Sequence, residues 1–320
     1  MTSRPVDVPA LVDAAREGAP RAVARLISLV EDAHPALREV MAALAPHTGR
    51  AHFIGITGSP GVGKSTFTNA IVGVLRGRGK RVGILAVDPS SPFSGGALLG
   101  DRIRMSDHSL DPGVYIRSMA SRGHLGGLSW TTPQALRVLD AAGCDVVVVE
   151  TVGVGQSEVE VAGLADTTLV LLAPGMGDGI QAAKAGILEI GDIFVVNKAD
   201  RDGADATVRD LRHMISLGDR TEPGLWRPPV LKTVAARKDG IDEVMTAIDD
   251  QFAWMEQSGA LRDRRVRRAG DEIEAIAIQA LRARIGDLRH DQGVDELAAR
   301  VVDGTSDPYA AADRILAAVT

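Results

Sequence analysis

Hydrophobic and polar positions along the chain fall into three regimes. Over residues 1 to about 50, Leu11, Val12 and Ala15, then Val23, Leu26, Ile27 and Val30, then Leu37, Val40, Met41 and Leu44 recur every three or four residues. That spacing places an apolar stripe on one face of a helix. Pro20 and Pro35 fall at helix starts, where proline's missing N–H costs nothing, so the pattern predicts two or three short helices and no strand. Such a face needs a surface to pack on, and only about the first eight residues read as a loose end.

From His52 onward the period changes. Uninterrupted apolar runs at His52–Thr57, Arg81–Val87, Val114–Ile116, Asp145–Val149, Thr168–Leu172, Ile193–Val196 and Pro229–Lys232 are separated by stretches with helical spacing. Runs without alternation are strands covered on both faces, and intervening helices imply right-handed parallel crossovers. The expected fold class is α/β, a doubly wound and mostly parallel sheet, with its ligand at the carboxyl ends of the strands. Helical extensions at the two ends complete it.

After about residue 258 the strands stop. Ile273, Ile276, Ala280, Leu281 and Ile285 form one stripe, Val294, Leu297, Ala298, Val301 and Val302 a second, and Ala312, Ile315, Leu316 and Val319 a third. Three short helices cannot bury these faces among themselves; they pack on the sheet or on a second copy of the chain, and the second copy is preferred. The expected division is therefore an N-terminal helical extension (1–50), a nucleotide domain (51–258) and a C-terminal helical dimerisation arm (259–320). Arg262, Arg264, Arg265, Arg267 and Arg268 open that last region. With no aromatic side chain among them for stacking, they are read as a solvated helix face rather than a nucleic-acid site.

Composition narrows the partners. Lys and Arg total 36 against 42 Asp and Glu, a net charge of −6, which gives no general attraction to nucleic acid or to an anionic membrane. No apolar run approaches the roughly 20 residues that span a bilayer, and the first residues lack a secretory pattern, so a cytoplasmic location is expected. The single cysteine, Cys144, excludes an intrachain disulfide and, beside Val146–Val149, is expected to be a buried, inert thiol. The seven histidines show no zinc-ligand spacing.

The chemistry concentrates in four strings. Gly58-Ser59-Pro60-Gly61-Val62-Gly63-Lys64-Ser65-Thr66 fits the phosphate-loop pattern G-x-x-x-x-G-K-[ST], between a strand and a helix. Its glycines let backbone N–H groups converge on a phosphate; Lys64 is expected to reach the β- and γ-phosphates, and Ser65 to offer its hydroxyl to Mg²⁺. Asn197-Lys198-Ala199-Asp200 follows a strand. The Asp200 carboxylate can accept from the N1–H and exocyclic amine of guanine, a pair adenine does not offer, while the Lys198 stem lies along the base. Lys232-Thr233-Val234-Ala235-Ala236, at the end of the last strand, is placed to close over the base through backbone N–H groups, with Val234, Ala235 and Ala236 as the candidate contacts. Val234 stands where GTPases commonly have Ser, so side-chain help is lost there.

Glu150-Thr151-Val152-Gly153 follows a strand as the D-x-x-G of GTPases does, with Glu in place of Asp. Glu150 can hold Mg²⁺ directly or through water, and the Gly153 N–H can bond a γ-phosphate oxygen. Asp88 and Asp101 are further Mg²⁺ candidates, Asp101 being equally readable as a helix N-cap. Val154 stands where Ras-like GTPases carry the Gln that orients water, so intrinsic hydrolysis is expected to be slow. A partner, Gln156, or a residue of the Gly-rich segment Pro174–Lys184 would complete the site; that segment is either a further switch or an ordinary β-α loop.

These strings, with Val87-Asp88-Pro89-Ser90-Ser91 and the full Glu150-Thr151-Val152-Gly153-Val154-Gly155-Gln156-Ser157-Glu158, closely resemble the MeaB/ArgK (MMAA-type) family of P-loop GTPases over most of the chain. The resemblance implies a homodimeric G-protein chaperone of adenosylcobalamin-dependent methylmalonyl-CoA mutase that uses GTP and GDP with Mg²⁺ to gate cofactor delivery and protect the mutase. It also implies that Asp88, Asp101 and Glu150 form the acidic Mg²⁺ set, and that Gln181 and Lys184 belong to a third switch that answers the mutase. Two other readings share the phosphate loop: a P-loop kinase acting on a small substrate, and a metallochaperone GTPase. The guanine-type string Asn197–Asp200 disfavours the first, and the want of a His or Cys cluster disfavours the second.

Overall fold

The computed structural model of the 320-residue chain describes residues 6–89, 108, 110–121, 131–151, 157–175, 186–217, 224–290 and 293–319. At 88–89, 120–121, 157–159, 285–290 and 318–319 it describes the backbone alone. Two units divide at Arg265/Val266.

The first unit opens with helices α1 (Val8–Arg16), α2 (Pro20–Glu31) and α3 (Leu37–Leu44). The Asp7 carboxylate caps α1 by accepting the Ala10 N–H at 3.1 Å, and proline occupies the first turn of both α1 and α2. The apolar stripes are buried at Val8, Val12, Val23, Leu26, Ile27, Val30, Val40 and Leu44, in one cluster with Phe53, Leu85, Val147 and Val149 of the sheet. The N-terminal helices thus share the core of the sheet rather than forming a core of their own.

Strands β1 (His52–Thr57), β2 (Val82–Pro89), β3 (Val114–Ser121), β4 (Val146–Thr151), β5 (Thr167–Leu172), β6 (Ile193–Val196) and β7 (Val230–Lys232) form one sheet in the order β3-β2-β4-β1-β5-β6-β7. Every pairing is parallel. The seven strands fall where the apolar runs predict them. Alternate residues supply both faces: Leu85, Val147 and Val149 point to the N-terminal helices, while Ile54, Ile56, Ile84 and Val148 pack against the helix after β1 and the helix after β7. Those helices are α4 (Lys64–Gly77) and α8 (Ile241–Ser258). A third cluster, around Val170, Phe194, Val196 and Leu211, lies between β5, β6 and α7 (Ala204–Ser216). Helix α5 (Thr132–Ala141) connects β3 to β4, and α6 (Ser157–Leu164) connects β4 to β5.

The amino edge of the sheet is finished by aspartates. Asp145, Asp166 and Asp192 each directly precede a strand, and each carboxylate accepts a backbone N–H from a neighbouring segment: Arg81, Phe53 and Thr168, at 2.7, 3.0 and 2.8 Å. Two of these carboxylates carry ion pairs. Arg264 reaches Asp192 at 2.7 Å and Arg265 reaches Asp166 at 2.8 Å, with the side chains of Asp166 and Asp192 essentially buried. This corrects the reading of the whole arginine run as a solvated face, because Arg264 and Arg265 neutralise carboxylates that must be buried to cap the strands. Burial is the largest influence and opposes the charge of each guanidinium, but hydrogen bonding to Asp192 and Asp166 together with the coulombic attraction of the surrounding carboxylates outweighs it and holds both arginines above their ordinary pKa.

These arginines lie in the first turns of α9 (Ala260–His290), a single helix of 31 residues. The stripe from Ile273 to Ile285 is therefore part of a long helix and not a short one. Gly259, at φ 82°, ends α8, and the Arg-, Ala- and Glu-rich sequence that follows has high helix propensity without needing a continuous apolar stripe. In the second unit α9 is followed by α10 (Gly293–Val302) and α11 (Pro308–Val319). Within this unit Ile273, Ile276, Leu281 and Leu316 are exposed. Among the described residues no helix is long and apolar enough to cross a membrane.

Candidate nucleotide-binding site

β1 is flanked by β4 and β5, and the chain leaves it in one direction toward β2 and later returns to its other side. In an open α/β sheet such a reversal opens a crevice at the carboxyl edge. The loop Gly58–Gly63 occupies that position, and α4 begins at Lys64. Gly58, Gly61 and Gly63 have φ of 139°, 81° and 96°, values that L side chains rarely adopt. Close packing adds a second requirement: a Cβ on Gly58 would run into the Leu171 carbonyl, and one on Gly63 would lie 2.7 Å from Asn197 Nδ2. Lys64 folds over the loop, its Nζ donating to the Gly58 carbonyl at 2.5 Å and to Ser59 O at 3.3 Å.

Asn197 ties this loop to the opposite side of the crevice. Its Nδ2 donates to Val62 O at 2.8 Å, while its Oδ1 accepts from Thr233 Oγ1 and from the Ala235 N–H, both at 3.1 Å. A carbonyl on one side and an N–H on the other fix which way the amide points. Lys198 takes the left-handed conformation at φ 57° and donates from Nζ to Gly61 O at 2.6 Å. Asn197 and Lys198 thus both grip the phosphate loop from the strand end that carries Asp200. Asp200 lies at the surface, its Oδ2 accepting from Arg237 at 3.2 Å.

The turn after β7 is stiff. The Val234 N–H bonds Asp239 O, Ala235 to Arg237 form one turn of 3₁₀ helix, and Lys238 and Gly240 close it at φ 63° and 75°. The N–H groups of Val234 and Ala235 are thus already engaged within the protein, which alters the expectation that both close over a base directly. Ala236 lies in the same turn.

On the other flank, Glu150 is buried at 1% exposure and sits opposite Ile56 in the pairing of β4 with β1. The Ser65 hydroxyl donates to Glu150 Oε1 at 2.7 Å. A hydroxyl and a carboxylate converge beside the phosphate loop, and hard oxygen donors of this kind suit Mg²⁺, which takes one or two protein ligands and completes its shell with phosphate and water. Asp88 belongs to β2, one residue beyond Val87, which pairs with Thr151; its side chain lies outside the described residues. So do Asp101, Gly153, Val154, Gln156, Gln181 and Lys184.

Sequence reasoning missed Arg237, and it placed Thr233 in the string after the last strand without its side-chain bond to Asn197. Thr233 is buried, and both act on residues of the Asn197 string across some 36 residues of chain (Thr233–Asn197). Elsewhere, a cavity of about 510 Å³ at the amino edge is lined by Arg50, His52, Cys144 and Phe252, at the opposite end of the strands from the phosphate loop. Burial pushes the Cys144 thiol up to about 12, in keeping with an inert cysteine.

An all-parallel seven-stranded sheet with the phosphate loop after its central strand and the N-K-x-D string after β6 defines a P-loop GTPase. The chain belongs to the family described as methylmalonyl Co-A mutase-associated GTPase MeaB, whose model matches residues 23–288. A relative in Pyrococcus abyssi is 48% identical over 96% of this chain and 95% of its own length. The methylmalonic aciduria type A homolog, mitochondrial, of Caenorhabditis elegans is 36% identical over 78% of this chain and 66% of its own. The crystal structure of a LAO/AO transport system kinase superposes with a TM-score of 0.73 at 27% identity, covering 99% of both chains.

Proposed function

We propose that this GTPase is a chaperone of adenosylcobalamin-dependent methylmalonyl-CoA mutase, in which GTP binding and hydrolysis gate cofactor loading and protect the mutase from inactivation. The family match supports the client, and the convergence of Ser65 on Glu150 at the head of the Glu150–Gly153 string supports the switch. Lys64 supplies positive charge to the β- and γ-phosphates, and the loop N–H groups with the N-terminus of α4 hold their oxygens. Asp200 selects guanine, and Ala236 contributes its N–H on the far side of the base. Ser65 and Glu150, joined by Asp88 and Asp101, would hold Mg²⁺, which neutralises charge on the β- and γ-phosphates. Val154 leaves the nucleophilic water without a glutamine, so hydrolysis waits on Gln181 and Lys184 as the mutase arranges them.

The protein acts in the cytoplasm as a homodimer through residues 259–320. Light scattering of the full chain tests this, since Ile273→Asp with Leu281→Asp should give a monomer of native thermal stability. Single-turnover GTP hydrolysis with and without the mutase tests the switch. A slow rate raised at least tenfold by the mutase is expected; a fast rate that the mutase leaves unchanged refutes the proposal. The kinase named among the structural relatives motivates a second reading, phosphoryl transfer to a small substrate. Equal affinity for GTP and ATP would favour it.

A further inference from the structure

Guanine selection by one carboxylate needs that carboxylate held in the plane of the base. Terminal torsions of Asp are broad, so an unassisted Asp200 would sample many orientations. A serine that could steady it is replaced here by Val234, whose side chain cannot hydrogen-bond. Three residues further on, Arg237 donates to Asp200 Oδ2 at 3.2 Å.

We propose that Arg237 is a positioning residue for base specificity, fixing the Asp200 carboxylate toward guanine in place of the missing hydroxyl. The inference rests on the reading of Asp200 as the guanine selector. The platform under Arg237 is rigid on three counts. Asn197 Oδ1 holds Thr233 and Ala235, the Ala199 N–H bonds Thr233 O at 3.0 Å, and a Cβ on Gly240 would collide with the Lys232 carbonyl. The turn therefore presents Arg237 from one place, and the loop bearing Asp200 is fastened to that same turn. One guanidinium N–H on Oδ2 leaves acceptor capacity on both oxygens, since an ionised carboxylate offers about four lone-pair sites. The base can still receive its two bonds.

The pair is exposed, with side chains 64% and 38% accessible, so its effect is confined to roughly a factor of two to five in an equilibrium constant. It should appear in discrimination between bases and not in stability. The test is titration of the full-length protein with GDP and IDP, which differ only in the 2-amino group that Asp200 is placed to read. Arg237→Ala should lower the GDP:IDP affinity ratio about two- to fivefold with the melting temperature unchanged, and Arg237→Lys should restore part of it. Asp200→Ala should lower the ratio further and cancel any additional effect of Arg237→Ala. A ratio unchanged in Arg237→Ala, or equal losses for GDP and IDP, refutes the positioning role while leaving Asp200 as selector. A ratio unchanged in Asp200→Ala refutes both.

Discussion

Asn197→Ala tests whether the phosphate and base halves of the crevice are one structural unit. The substitution removes three hydrogen bonds, to Val62 O, Thr233 Oγ1 and the Ala235 N–H, from a side chain that is 2% exposed. Each is worth about 1 kcal/mol net, and stranding the buried partners costs more where water cannot reach them, so a loss of about 3 kcal/mol is expected. In a domain of this size that lowers the melting temperature by about 6–12 °C. Gly63 gains space at the same time, because Asn197 Nδ2 is the atom its missing Cβ would have met, and the phosphate loop loses its outer restraint. GDP affinity should fall by about tenfold or more, equivalent to about 1.4 kcal/mol. Scanning calorimetry with and without GDP, and titration of GDP, read both effects. A drop in melting temperature below about 2 °C together with unchanged GDP affinity would show that the two loops are held by other means.

Three further predictions concern charge. The His52 ring stacks on Phe252 at 4.1 Å and contacts Thr167 Oγ1 at 2.7 Å, and burial lowers its pKa from 6.5 to about 4. The unfolded chain therefore takes up a proton that the folded chain refuses between those values, so stability is complete above about pH 6.5 and declines toward pH 4, by at most roughly 3 kcal/mol; denaturant titrations at several pH values should show this slope flattened in His52→Gln. Arg265→Ala leaves the buried Asp166 carboxylate without its guanidinium and should cost about 3 kcal/mol, with little rescue by Arg265→Lys because two nitrogens, Nε and Nη2, serve the carboxylate; a thermal shift near zero would contradict the capping role. Glu150→Gln removes a charge from the proposed cation site and should raise the Mg²⁺ concentration needed for GTP hydrolysis by about tenfold or more, measured as rate against Mg²⁺; an unaltered requirement would exclude Glu150 as a ligand.

Legibility in the sequence followed the range of the interactions. The strands could be read because a strand buried on both faces writes an unbroken apolar run, as in Val146–Val149, and the phosphate loop because its function is made by consecutive backbone groups. The aspartates before β4, β5 and β6 were visible as letters, yet their role depends on N–H groups of segments distant in the chain. Arg264 and Arg265 answer carboxylates some 72 and 99 residues away, so no local pattern separates them from Arg262, for which no ion pair occurs among the described residues. The length of α9 escaped notice because helix propensity, not an apolar period, carries its first half. Gly153 rests on its place in the Glu150–Gly153 string, and Asp101, Gln181 and Lys184 on the family resemblance; all four lie outside the described residues. Arg237 is the counterpart case: Val234 announced a missing hydroxyl, but only the folding of its turn brings Arg237 within hydrogen-bond reach of Asp200.

The clasp made by Asn197 has a consequence for how the ligand's parts add up. Because Val62 on the phosphate side and Ala235 on the base side hang from one amide, the span between the two half-sites is set by the protein before any ligand arrives. Guanosine alone and pyrophosphate alone each meet half of a gauge already cut to length. Joining them in one molecule then gains the chelate advantage, the second half arriving at an effective concentration in the millimolar range or above. On the proposed reading of the two half-sites, the protein should therefore bind the intact nucleotide far more tightly than either free fragment.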